Sequence, residues 1–170
     1  MTDEQDTSTS SASAAPDDPV ATLVSASRRI AAPAEVLFDV VADPTMHPVI
    51  DGSGSVRGGR APSRKLALGD RFRTSMRIGL PYVISNKVVE YDEARRIAWS
   101  HKGGWRWRYT FEPDGDATVV TETFDWSTAV GGSVGEAYVE RTGFPARNAK
   151  NMERTLERLE AYVTNTDQLS

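Results

Sequence analysis

The sequence predicts an α+β fold in which a curved antiparallel sheet of six to seven strands wraps around a long C-terminal helix. Three observations predict this architecture. Stretches of alternating apolar and polar residues recur at hairpin spacing through the middle of the chain. Two short helical stretches follow the first strand, and the last long stretch has one apolar helical face. Strands in succession followed by a helix are typical of α+β domains.

The first part of the domain is predicted to be a strand followed by two short helices. Residues 21–30 form the strand, and Pro33 suits the start of a helix because a first helical position needs no N–H donor. One face of this helix carries Val36, Leu37, Val40 and Val41. Pro44 ends it, since the residue before a proline is displaced from helical geometry. Residues 45–50 are expected to add a further helical turn.

The middle of the chain is predicted to be a series of hairpin-connected strands. In the stretch RFRTSMRI, apolar residues that include Phe72 and Met76 alternate with arginines. A short strand is expected within residues 55–60, and Pro81 is expected to interrupt the chain before a strand resumes at residue 82. Pro113 and the Asp-Gly pair after it predict a hairpin turn.

The C-terminal part is predicted to be one irregular stretch and one long helix. Residues 129–144 are glycine-rich and are expected to be irregular. Pro145 then opens a helix with one apolar stripe. The stripe consists of Ala149, Met152, Leu156, Leu159 and Val163. This helix is expected to close the core of its own domain, although a role in dimerisation is an alternative.

Composition predicts a domain at residues 20–164 between an acidic tail at 1–19 and a short tail at 165–170. The acidic tail has a net charge of −5 against −4 for the whole chain, so the rest is close to +1. We expect the acidic tail to be disordered. A nearly neutral domain argues against a nucleic-acid partner. The oligomeric state stays open.

Several classes of function are disfavoured. The chain has no cysteine, which excludes a disulfide framework, a thiolate metal site and a cysteine nucleophile, and fits a cytoplasmic location. No stretch approaches the roughly 18 apolar residues of a membrane span, and the first residues lack the pattern of a signal peptide. His47 and His101 have no metal-ligand spacing, so we expect neither a metal nor a cofactor.

Five segments, in order, resemble a known superfamily. They are SASRRIAAPAEVLFDVVADPTMHPVIDGSGSV, LGDRFRTSMRIG, VVEYDEARRIAWS, TVVTETFDWS and GFPARNAKNMERTLERLEAYV. Over residues 21–164 the chain resembles the START-like, or SRPBCC, superfamily with the helix-grip fold, and within it the polyketide cyclase/dehydratase and lipid-transport group. The resemblance implies a cavity between sheet and C-terminal helix that binds lipids, polyketides or other hydrophobic molecules. It carries no universal catalytic motif.

Candidate site residues follow from the sheet and helix faces. Aromatic side chains supply large apolar area with few torsions to freeze, although packing on the helix is the alternative for each one. The candidates for ligand binding are Phe72, Met76, Trp99, Trp107, Tyr109, Phe124, Trp126, Met152 and Leu156. The WRWRY stretch is unsuited to stacking nucleic-acid bases, because its tryptophans and arginines point to opposite sheet faces.

The catalytic residues stay unknown, with Glu122, His101 and Tyr109 as weak candidates. A carboxyl among aromatic residues would have a raised pKa and could act as a general acid or base. The sequence nevertheless favours a rim position in water, or an arginine partner, for Glu122.

Three functions remain open. The first is a carrier that binds a hydrophobic small molecule. The second is an aromatase/cyclase- or dehydratase-like enzyme that uses proton-transfer residues in the same cavity. The third is a module that binds a partner through an exposed apolar surface.

Overall fold

The computed structural model describes residues 22–58 and 63–167. Within these residues the strands are β1 (Leu23–Ile30), β2 (Val56–Arg57), β3 (Arg71–Ile78), β4 (Leu80–Asp92), β5 (Arg96–His101), β6 (Arg106–Asp114) and β7 (Ala117–Asp125). The helices are α1 (Ala34–Ala42), α2 (His47–Ile50), α3 (Ser133–Arg141) and α4 (Phe144–Asp167). The acidic tail predicted for residues 1–19 lies outside the described residues.

The strands form one antiparallel sheet in the order β1-β7-β6-β5-β4-β3-β2. Strands β2 to β7 pair with their neighbours in the chain, and β1 pairs with β7 along its whole length. The concave face of the curved sheet holds α4. This arrangement confirms the predicted helix-grip architecture.

The core lies where α4 and α1 cover the sheet. Leu156, Leu159 and Val163 on one stripe of α4 are almost completely buried. From α1, Phe38 packs edge-to-face on Phe111 of β6 with the ring centroids 5.5 Å apart. Each fully buried side chain of this size stabilises the fold by roughly 1.5–3 kcal/mol. The periodic stripe predicted from the sequence is therefore the face that joins α4 to the sheet.

Two local predictions were wrong. Pro81 does not interrupt the strand: it lies within β4 opposite Arg77 of β3, and the turn is made by Gly79 with φ +72°. Proline is tolerated here because β5 pairs with β4 only from Asn86 onward, so this end of β4 extends past its neighbour.

The stretch predicted to be irregular contains the helix α3. Its flanking and internal glycines lower helix propensity, which masked it in the sequence. Only Val139 of this helix is fully buried. The long helix α4 ends at Asp167.

Candidate functional site

A cavity of about 870 Å³ lies between the concave face of the sheet and the first half of α4. Its walls come from β3 to β7, from the connection between α2 and β2, and from α4. Exposed side chains in the lining mark its mouth near the tip of the β3–β4 hairpin and the start of α4, where Ile78, Lys102 and Arg147 lie.

Aromatic side chains form most of one wall. Trp99 stacks on Tyr109 with 5.6 Å between ring centroids, and Trp107 lies 4.9 Å from Phe124. Trp105 contacts the same Phe124 ring from a second side at 6.4 Å. Trp105 and Trp107 are only half-buried although they line the cavity. The wall therefore presents aromatic surface that α4 does not cover.

A carboxyl group lies deep in this cavity. Glu122 of β7 is 4% exposed and stands directly opposite Tyr109 of β6 in the strand register. Burial raises the pKa of Glu122 to about 8, and the Tyr109 hydroxyl, which is placed to donate to this carboxyl, opposes part of the rise. Burial and the nearby Glu122 together raise the pKa of Tyr109 well above its ordinary value. At neutral pH this site therefore holds a protonated carboxyl and a phenol.

The two oxygens of this carboxyl differ in their hydrogen bonding. Glu122 Oε2 is buried and forms no hydrogen bond within the described part of the chain. An unpaired buried polar atom costs roughly 1–3 kcal/mol. A ligand or solvent group that pairs with this oxygen would recover that free energy, so Glu122 is the natural polar anchor of the cavity.

His47 supports the aromatic wall from beneath. Its ring stacks on Trp99 with 5.0 Å between centroids, and Nε2 donates to the carbonyl oxygen of Val41 at 2.9 Å. Burial lowers the pKa of His47, so the ring is neutral at pH 7. The α2 helix thus fixes the orientation of Trp99 through a neutral imidazole.

His101 lies nearer the mouth. Its Nδ1 accepts a hydrogen bond from the backbone N–H of Gly103 at 2.9 Å, and the ring contacts Trp105 edge-on at 4.6 Å. Burial lowers its pKa as well. No direct hydrogen bond joins His101 to the Glu122–Tyr109 pair, so the three catalytic candidates do not form one constellation.

The structure divides the residues proposed for ligand binding into two groups. Six of them line the cavity: Met76, Trp99, Trp107, Tyr109, Phe124 and Met152. Phe72, Trp126 and Leu156 lie outside the lining. Phe72 packs on His47 and Trp99, Trp126 packs on Phe124, and Leu156 belongs to the buried stripe of α4.

The rim position that the sequence favoured for Glu122 is wrong, because the residue is buried, and none of the described arginines forms an ion pair with it. Sequence reasoning also missed polar lining residues. These are Thr74, Asn86, Asn148, Asn151 and Thr155. The alternation of β3 and β4 could have suggested Thr74 and Asn86, since both lie at inward positions. The asparagines of α4 gave no such signal.

The arginines of the WRWRY stretch lie on the opposite, convex face of the sheet. Arg108 forms a two-point contact with Glu90, at 2.9 Å from Nε to Oε2 and 2.7 Å from Nη2 to Oε1. Arg106 and Arg96 approach the same carboxylate at 3.5 Å. These cations gather around Glu90 on that face and do not line the cavity.

Two further observations concern metals and membranes. Within residues 22–58 and 63–167, no three histidine or carboxylate side chains are grouped so that they could hold a metal ion. None of the helices in this part of the chain has the length and apolar character needed to cross a bilayer.

Comparisons with solved structures match the fold. The chain superposes on protein Ms6760 from Mycobacterium smegmatis with a TM-score of 0.62 at 17% identity, over 85% of this chain and 92% of that one. An AHSA1-like protein from Aeromonas hydrophila gives a TM-score of 0.61 at 18% identity, over 85% and 94% of the two chains. At these identities the likeness shows the shared fold.

Sequence comparisons show the family. The chain is 44% identical over 138 residues to the uncharacterized protein Rv0088 of Mycobacterium tuberculosis. The matched region covers 80% of this chain and 62% of that protein. The chain thus spans less than two thirds of the length of this relative. The model of the family described as polyketide cyclase / dehydrase and lipid transport matches residues 21–164. The chain therefore belongs to the polyketide cyclase/dehydrase and lipid-transport family.

Proposed function

We propose that this protein binds a small hydrophobic molecule, such as a lipid or a polyketide, in the cavity between the sheet and α4. The observation that carries the proposal is the half-covered aromatic wall around a cavity of about 870 Å³. Pockets for small ligands are typically about 300–1,000 Å³ and are mostly apolar with few polar groups. Membership of a family that includes lipid-transport proteins supports the same class of ligand.

The polar groups of the cavity refine the class of ligand. Glu122 Oε2 has no hydrogen bond to any residue that the structure describes, and the carboxyl is protonated at neutral pH. A ligand with a carbonyl or hydroxyl group on an apolar body would pair with Glu122 while its body covers Trp105 and Trp107. A ligand with a carboxylate at this position would lose its hydration among aromatic side chains and is disfavoured.

A second candidate function is proton-transfer catalysis in the same cavity, and the Glu122–Tyr109 pair favours it. A carboxyl whose pKa lies near neutral pH is suited to general acid–base chemistry. In such a reaction Glu122 would give its proton to a ligand carbonyl oxygen, and the resulting carboxylate would take a proton from the adjacent carbon. The carboxyl would be restored and the ketone converted to its enol. Tyr109 would hold the carboxyl in position.

Ligand binding is tested by titrating Nile red into the wild type and into Trp107→Ala. We expect saturable binding of one dye per chain, weakened about tenfold or more in Trp107→Ala through the loss of apolar contact. Tyr91→Ala is the matched control, since Tyr91 is a half-buried aromatic that packs on Phe38 away from the cavity. The proposal would be contradicted if Nile red binding to the wild type did not saturate, or if both variants bound the dye equally more weakly.

Proton transfer is tested with methyl nonyl ketone in deuterated water, with deuterium uptake beside the carbonyl followed by mass spectrometry. If the cavity catalyses enolisation, the wild type accelerates uptake and Glu122→Gln does not, although Glu122→Gln still binds Nile red. Equal uptake in both proteins would leave ligand binding as the function and refute the catalytic candidate.

A further inference from the structure

The tip of the β3–β4 hairpin exposes apolar side chains to solvent. Ile78 is 61% exposed, Leu80 81% and Val83 62%. The hairpin extends past β5, which pairs with β4 only from Asn86 onward. Among the described residues, the β4 side of this end therefore has no neighbouring strand, whereas β2 flanks the β3 side as far as Met76. A contiguous exposed apolar surface of this kind marks an interaction site more often than an ordinary surface.

In the paired part of the same ribbon, residues 71–78 and 80–87, the convex face carries only basic charge. Strand alternation places Arg71, Arg73 and Arg77 on one face of β3, and the register places Arg57 and Lys87 on that same face through their partners Ser75 and Arg71. All five side chains are exposed. None of them has an ion pair with another described residue, whereas the arginines of the neighbouring strands share Glu90. An unneutralised basic face thus adjoins an exposed apolar tip.

We propose that the β3–β4 ribbon docks on an anionic lipid bilayer, with its apolar tip among the acyl chains at the interface and its basic face against the headgroup phosphates. This pairing of an apolar edge with flanking cations is how peripheral proteins bind membranes without spanning them. The proposal goes beyond ligand binding and does not depend on it, because docking is measured without a ligand.

Two features favour a bilayer over a nucleic acid. The convex face of the described ribbon has no aromatic side chain on which a base could stack. Exposed Leu80 and Val83 would gain nothing from a phosphate backbone but would gain apolar burial in a bilayer. In addition, Ile78, Tyr82 and Val83 of the tip also line the cavity, so a docked tip would bring the cavity mouth to the membrane surface.

The test is sedimentation of the full chain with vesicles of phosphatidylcholine alone or mixed with phosphatidylglycerol. We expect binding to the mixed vesicles, strong weakening on neutral vesicles and loss at high salt. Each cation near an anionic surface contributes roughly a fivefold gain in partitioning. The double variant Arg71→Gln/Arg73→Gln, whose two residues do not line the cavity, should therefore bind about ten- to thirtyfold more weakly. Leu80→Ser should bind more weakly as well.

Matched controls come from elsewhere on the surface. Arg95→Gln removes an exposed cation in the β4–β5 turn, and Leu68→Ser removes a side chain that is 65% exposed before β3, at the end away from the tip. Both controls should bind like the wild type. All variants should keep their binding of Nile red, which separates this proposal from the function of the cavity.

Several results would overturn membrane docking. Equal binding to neutral and anionic vesicles, or unchanged binding by the double arginine variant, would each do so. If the full chain does not bind vesicles, a variant is made in which amides replace the five acidic residues Asp3, Glu4, Asp6, Asp17 and Asp18. Vesicle binding by this variant alone would assign the basic face to the chain's own acidic segment. Saturable binding of an RNA oligonucleotide without vesicle binding would assign it to nucleic acid.

Discussion

Glu122 is the residue at which burial, charge and position conflict most strongly. Its carboxyl is surrounded by aromatic side chains, and the folded protein keeps it protonated up to about pH 8. A polar group in such a place destabilises the fold unless a partner pairs with it. Its position at the centre of an aromatic cavity is what a binding or proton-transfer role requires.

The raised pKa of Glu122 predicts how stability depends on pH. The unfolded chain loses this proton near the ordinary value of 4.5, and the folded chain keeps it to about 8. Unfolding therefore releases a proton between these values, and this group makes the wild type less stable as pH rises through that window. Each pKa unit corresponds to about 1.4 kcal/mol. Glu122→Gln cannot titrate and should gain stability over the wild type from pH 5 to pH 8.

Urea denaturation of both proteins across this window measures the effect. The difference in free energy of unfolding isolates Glu122 from His47 and His101, whose lowered pKa values change stability in the opposite direction. A difference that stays constant with pH would show that the carboxyl is ionised in the folded protein.

Strand alternation puts Glu122 on the same face as Val120 and Phe124, but the residues that surround its side chain could not be predicted from the sequence. The contact with Tyr109 depends on the register of β6 against β7, which is set by the turn at Gly115 and Asp116. Whether that face is covered depends in turn on how far α4 stands from the sheet. Neither quantity is encoded in the alternation of a single strand.

At the level of elements, the connection after α2 is pressed directly onto α4. A Cβ atom at Gly52 would lie 2.2 Å from the carbonyl oxygen of Asn151 and 2.5 Å from the backbone nitrogen of Thr155. The Gly52 N–H also donates to Thr155 Oγ1 at 3.0 Å. This contact fixes the α2–β2 connection, which forms one wall of the cavity, against the helix that forms another.

Gly52→Ala should therefore destabilise the protein, because the helix backbone would have to move. We expect a loss of roughly 1–3 kcal/mol in the free energy of unfolding, as is usual for overpacking. Gly58→Ala is the control, since among the described residues a Cβ atom there meets only Pro48, at an ordinary 3.8 Å. Comparable stability of the two variants in urea denaturation would refute the tight contact.

The Glu90 cluster joins β4, β5 and β6 on the convex face. Replacing Glu90 by Gln leaves Arg96, Arg106 and Arg108 facing one another without their shared anion. We expect a loss of about 1–2 kcal/mol, since the Arg108 contact is two-pointed but partly exposed. Glu112→Gln, an exposed carboxylate on β6, should change nothing.

The stabilisation that Glu90 provides depends on pH in a definite direction. The Arg108 guanidinium lowers the pKa of Glu90 below its ordinary 4.5. The stabilisation is therefore complete above that value and is lost as pH falls through the folded-state pKa. The gap between wild type and Glu90→Gln in urea denaturation should close in acid. A gap that persists there would point to packing instead of charge.

Strands and helices whose apolar residues repeat regularly along the sequence were predictable, and those with a weak repeat were not. The alternation of Phe72 and Met76 with arginines identified β3, and the apolar stripe of α4 identified that helix. The helix α3 was missed because it contains glycine and buries only Val139, so its sequence shows little apolar periodicity. The prediction at Pro81 was wrong because a proline is tolerated in β4 where β5 does not pair with it. That pairing is a property of the assembled sheet.

For the whole molecule, the order of elements was enough to predict a sheet that holds a long helix. The pairing of β1 with β7 closes that arrangement around α4, and it joins segments nearly a hundred residues apart. The empty volume beside α4 could be anticipated only from the resemblance to helix-grip proteins. It lies beside the first half of α4, between Phe144 and Thr155, whereas Leu156, Leu159 and Val163 belong to the main core.

The positions of the four tryptophans offer the most direct test of ligand binding in the cavity. Trp99, Trp105 and Trp107 line it, whereas Trp126 is buried outside the lining. Proton–nitrogen correlation spectra resolve each indole N–H during a titration with Nile red. We predict that the three lining indoles shift in parallel to a common saturation point while Trp126 moves least. Shifts of equal size at Trp126, or no shift at the lining tryptophans while the dye is bound, would contradict a ligand in the cavity.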